Sequence, residues 1–97
     1  TGHVDRIVQG KLRGWAMAVG EPKVRAVVHL LVNGQVTCST VANKSRKDLV
    51  AANIGDGKHG FELPVDPGTP PDSIIQVTAG NAKFLLANGG KSLSQYQ

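Results

Sequence analysis

The chain has 97 residues, a formal charge of +4 and one cysteine, Cys38. That length holds one domain with one thin core, and leaves no room for a second domain or a deep substrate cavity. Hydrophobic residues at 40% against 19% charged exclude a disordered chain, the lone thiol excludes an internal disulfide, and no apolar run approaches the ~20 residues of a membrane helix.

Gly2 to Val8 alternates loosely, with Val4 and Val8 in phase. Leu12 to Val19 carries Trp15 and Met17 in phase with Val19, and both segments read as strands. The clearest strand is Val24 to Val32, with Val24, Ala26, Val28, Leu30 and Val32 on one face. Asn33-Gly34 then signals a hairpin. A two-residue loop would pair Leu31 with Val36 and set the apolar row against Gln35, Thr37 and Ser39. A three-residue loop, Val32-Asn33-Gly34, pairs Leu30 with Val36, Val28 with Cys38 and Ala26 with Thr40, and is preferred because one face stays apolar. Cys38 then points inward as a small hydrophobe.

Ser45-Arg46-Lys47-Asp48 resembles a capping box with Asp in the place of Glu. It opens a helical turn or two over Leu49 to Asn53, ended by Gly55 and pinned to the sheet by Leu49 and Ile54, since so short a helix cannot hold alone. Gly55-Asp56-Gly57-Lys58 reads as a tight turn. His59 to Val65 is a strand with Phe61, Leu63 and Val65 on one face, and Pro64 marks an edge or the strand's end. After a loop from Pro67 to Asp72, Ser73 to Ala79 and Ala82 to Leu86 pair around Gly80-Asn81. The polar stretch 88–97 reads as a flexible tail or linker stub, leaving 1–87 as the folded module. About seven short strands with one short helix give an all-β chain, a β-sandwich of immunoglobulin-like or jelly-roll-like type.

Gly2-His3-Val4-Asp5, Gly14-Trp15-Ala16, Pro22 before a long strand, Asn33-Gly34, Ala42, Arg46, Asp48-Leu49 and Ile54-Gly55-Asp56-Gly57-Lys58-His59-Gly60-Phe61 together carry a resemblance. The series resembles a small accessory module of large bacterial proteins, including multidomain glycosyltransferases and other envelope or secreted polypeptides. Its marks are a GWA strand and an R-x-DL … GDG-x-HGF block. The resemblance covers Gly2 to roughly Val77 and implies a β-sandwich beside catalytic or surface-exposed neighbours, with a glycan-related role. It carries no catalytic residues. The chain is therefore expected to be one module of a larger bacterial protein, in the envelope, secreted or cytoplasmic.

Five residues are the candidates for ligand contact: Trp15, Arg46, Asp48, Asp56 and His59. Trp15 offers a ring for a sugar, but its small neighbours Gly14 and Ala16 favour a place in the core. Arg46 and Asp48 either read a ligand or serve structure, Asp48 as a helix cap and Arg46 as a clamp on a turn carbonyl or Asp56. Asp56 and His59 either form a site in the glycine-rich turn or stabilise it, through an Asx turn and a bond from His59 to nearby backbone. His3, His29 and His59 lack ligand spacing and Cys38 has no partner, so no metal or cofactor is expected. No Gly-x-Ser-x-Gly elbow and no paired glutamates are present, which argues against an enzyme. The basic residues are scattered along the chain, which argues against nucleic acid. The expected partners are an anionic or other polysaccharide and neighbouring domains of the same polypeptide. The alternative is a purely structural spacer or docking domain, with Val27 and Leu31 as its exposed apolar patch.

Overall fold

The computed structural model describes residues 2–17, 25–80 and 84–97. Val19, Pro22, Val24, Asn81 and Ala82 lie outside the described residues. Two antiparallel sheets enclose one aliphatic core. The first sheet runs β1 (Gly2–Val8), β2 (Lys11–Ala16), β5 (Gly60–Pro64). The second runs β4 (Gln35–Val41), β3 (Val27–Val32), β6 (Ile74–Ala79), with β7 (Phe84–Leu85) and β8 (Lys91–Ser92) both beside β6. One short helix, α1 (Lys47–Ala51), and a 3-10 turn, Leu93–Tyr96, complete the described elements. The chain is thus an all-β sandwich with one short helix. Isolated bridges stitch the sheets together at two corners, Lys44 with Gly60 and His3 with Ala87. No helix among the described residues is long and apolar enough to cross a membrane.

The core shows why β2 faces the way it does. Leu12, Gly14 and Ala16 point inward, and Trp15 lies half-buried on the outside, so the expectation of Trp15 as a core ring in phase with Met17 is corrected. The reason is Phe61. A Cβ on Gly14 would stand 2.5 Å from the Phe61 Cζ and 2.5 Å from the His3 carbonyl oxygen. The phenyl ring of β5 lies directly on bare β2 backbone and takes the space a larger inward residue would need.

Two bulges reset alternation elsewhere. In β1, Val4 pairs with Gly14 and Ile7 with Leu12, so Asp5 and Arg6 together face Arg13 alone. Ile7 packs on the core, where a regular strand would send Val8. In the β3–β4 hairpin the turn has two residues, Asn33 at φ 51° and Gly34 at φ 85°, the left-handed pair of a type I′ turn. Leu31 pairs with Val36, and a register shift after Leu31 brings Leu30 opposite Cys38 and Val28 opposite Thr40. The three-residue loop does not form, because the extra residue sits inside β4. The outcome it was meant to secure survives: Cys38 packs against the core.

Phe61 and Leu63 are buried as their alternation requires. Leu49 pins α1, being 2% exposed. The capping box does not form, since Arg46 is the N-cap residue with no side-chain cap bond, and the Asp48 carboxylate is turned to Arg46. The end of the chain is no tail. β8 pairs Ser92 with Ile74, and Leu93 and Tyr96 are 3% and 1% exposed in the core. Their spacing of three eclipses them on one face of a 3-10 turn, so two apolar residues in a polar stretch suffice to dock it. The Tyr96 hydroxyl donates to the Asn88 carbonyl at 2.6 Å.

Candidate functional site

On the outer face of the first sheet, charged side chains from four separate segments converge. β2 presents Arg13, and its partner position on β5 is Glu62. The β1 bulge turns both Asp5 and Arg6 to this side. Lys44 arrives through its bridge to Gly60, whose carbonyl accepts the Lys44 N–H at 2.9 Å, and Arg46 follows two residues later. Together these residues line an open groove of about 490 Å³, four cations against two carboxylates.

The ion pairs inside the groove are uneven. Arg13 Nε donates to Glu62 Oε2 at 3.0 Å, and Lys44 Nζ stands 3.6 Å from Glu62 Oε1. Arg46 is bonded through all three nitrogens: Nε and Nη2 donate to the two Asp48 oxygens at 3.0 and 2.6 Å, and Nη1 donates to Asp5 Oδ2 at 2.7 Å. Its aliphatic stem crosses Gly60, where a Cβ would meet Cδ at 2.8 Å. The hydrogen bond from Arg46 holds the Asp48 carboxyl below the usual carboxylate range, and the same bond raises the Arg46 guanidinium. Arg46 therefore ties β1 to the start of α1, each of its nitrogens already holding a carboxylate oxygen. Arg6 is the opposite case: exposed, with no ion pair among the described residues.

Asp56 and His59 stand elsewhere, at a corner between the sheets. Arg25, just ahead of β3, grips Asp56 with both terminal nitrogens, Nη1 to Oδ1 at 3.0 Å and Nη2 to Oδ2 at 2.6 Å, and also donates to the Lys58 carbonyl at 2.7 Å. The Lys58 N–H donates to Asp56 Oδ1 at 3.0 Å, which is the Asx turn. Arg25 first, and this backbone bond second, hold the Asp56 carboxyl far below the usual carboxylate range. The clamp on Asp56 is Arg25, and Arg46 takes Asp5 and Asp48. His59 is fully buried under Gly55, whose added Cβ would lie 2.4 Å from Nε2. Neither ring nitrogen has a hydrogen-bond partner among the described residues, and the Asp56 carboxylate is 3.6 Å away. The expected bond from the His59 ring to backbone is not made.

The five residues singled out from sequence thus fall in three places. Arg46 and Asp48 clamp the rim of the groove, Asp56 and His59 build the corner, and Trp15 lies between His3 and Gly60 on the outer sheet face. Sequence reading missed Asp5, Arg6, Arg13, Lys44 and Glu62. The outward alternation of Lys11, Arg13 and Trp15 was a usable signal for Arg13 alone; the others join it only once β2 pairs with β1 and β5. Compared with protein-family models, curated proteins and solved structures, the chain finds no match.

Proposed function

We propose that this chain is a non-catalytic binding module of a larger bacterial protein that builds or recognises envelope polysaccharide. In this reading it contacts glycan along the outer face of the first sheet. The observation that carries the reading is the open groove in which cations from three segments meet, with Arg6 in no ion pair among the described residues. Arg13, Lys44 and Glu62 orient one another there, so polar groups stand in place before a ligand arrives. The GWA and GDG-x-HGF likeness to accessory modules of glycosyltransferases supports the same use, as an association only. In a 15N NMR titration with bacterial polysaccharides, shifts are expected to cluster on Arg6, Arg13, Lys44 and Glu62. Absence of any shift at millimolar repeat-unit concentration discards the reading.

A second reading, a docking domain, is favoured by one observation. Val27, Val36, Val41, Ile74 and Leu85 are 40–59% exposed, all on the outer face of the second sheet. A neighbouring domain of the same polypeptide would cover them. Self-association of the isolated chain, measured by sedimentation, favours this reading; a monomer at millimolar concentration counts against it.

A further inference from the structure

We infer that the groove takes the carboxylate of an acidic sugar unit, gripped by Arg6 and Arg13 as a pair. The inference rests on the glycan-binding reading above and names its ligand class. Its ground is the β1 bulge. Two residues, Asp5 and Arg6, oppose Arg13, so Arg6 reaches the groove beside Arg13 rather than on the opposite face of the strand. Arg13 commits only Nε to Glu62, and its two terminal nitrogens have no partner among the described residues. Arg6 commits no nitrogen to a partner among the described residues. Each guanidinium edge offers the two parallel N–H donors that a carboxylate accepts.

The carboxylates in the same groove select further. Asp5 and Glu62 are acceptors only. A phosphate backbone brings charge and few donors, so both would repel it. A sugar acid brings ring hydroxyls that can donate to them while its own carboxylate goes to the arginines. The one aromatic residue lining the groove, Phe61, is 2% exposed, and Trp15, half-buried on the same outer face, stands outside the groove's lining, so the groove itself offers no ring for a base to stack on. Cation pair, carboxylates and missing platform together fit an acidic polysaccharide and disfavour nucleic acid.

The test is isothermal titration of the 97-residue chain with four probes: polygalacturonate, the same polymer after carboxyl reduction, polyphosphate and single-stranded DNA. Polygalacturonate is expected to bind at low salt, at least tenfold more tightly than the reduced polymer and than either phosphate polymer. R6Q and R13Q are each expected to weaken it at least fivefold with the urea midpoint unchanged, while K58Q, a charge change outside the groove, leaves it alone. Equal binding of the reduced polymer overturns the acid-sugar inference and leaves the glycan reading standing. Equal or tighter binding of polyphosphate or DNA overturns the inference in favour of a phosphate polymer. Binding to none of the four overturns both.

Discussion

The two outer faces of this sandwich are built by the same alternation and end up chemically opposed. The first sheet turns Asp5, Arg6, Lys11, Arg13 and Glu62 to solvent. The second turns out Val27, Leu31, Val36, Val41, Ile74 and Leu85, with His29, Ser39, Gln76 and Thr78 between them, and its outward positions hold no Asp, Glu, Lys or Arg among the described residues. An antiparallel sheet with one solvated face ordinarily reads polar outward. The first sheet obeys; the second leaves more aliphatic surface outward than that pattern requires. The two proposed uses divide along this contrast, glycan to the charged face and a protein neighbour to the more aliphatic one.

The contrast collapses entirely if the layer between the faces fails. Phe61 fills the space over Gly14 and joins both rows of the core, so Phe61→Ala is expected to cost about 3–5 kcal/mol through lost transfer energy and an unfilled cavity. Urea unfolding followed by Trp15 fluorescence measures it. A loss below about 1 kcal/mol would show that the two sheets do not depend on this ring.

A smaller effect is expected where the faces are joined at their corner. Arg25 precedes β3 of the second sheet, and Asp56 lies in the turn that feeds β5 of the first. Asp56 is depressed in the folded state chiefly by Arg25, so its contribution is present above the ordinary carboxylate pKa of about 4 and is lost as pH falls through the lower folded value. Asp48, depressed by Arg46, adds to stability with the same sign. Arg25→Gln removes the cause of the Asp56 shift. The variant is expected to unfold at lower urea than the parent at pH 7, and the gap is expected to close as pH drops below about 4. A gap that stays constant down to pH 2 would mean that Asp56 is not the group Arg25 stabilises.

Much of this architecture could be read before any coordinates, and the failures share one cause. Plain alternation was legible: Val28 and Leu30 inward on β3, Phe61 and Leu63 inward on β5, and a hairpin at Asn33-Gly34, though not its loop length. What misled was any place where a partner strand decides the phase. Gly14 faces inward because Phe61 needs the space, which sends Trp15 out. The bulges at Asp5-Arg6 and in β4 each exist only in relation to the strand opposite. The groove suffered most, since its cations are scattered in sequence and meet only through pairing. Arg46 and Asp48 were found because they are neighbours in the chain, and for that same reason they satisfy each other.

The finest test leaves the scaffold alone and edits one face at a time. Val27 and Val41 stand directly opposite each other across β3 and β4, both about two-fifths exposed. Changing both to Thr keeps the β-branched shape that suits a strand and removes only apolar surface. The stability change is expected to stay within about 0.5 kcal/mol, the usual range for surface sites without special contacts. If the aliphatic face is a covered surface, the V27T/V41T double variant binds less of a hydrophobic dye and self-associates less, while its affinity for an acidic polysaccharide is unchanged. R6Q is the mirror experiment: weaker polysaccharide binding with dye binding and self-association unaltered. If either variant moves both readouts together, the faces are coupled through the core, and the division of labour between them is wrong.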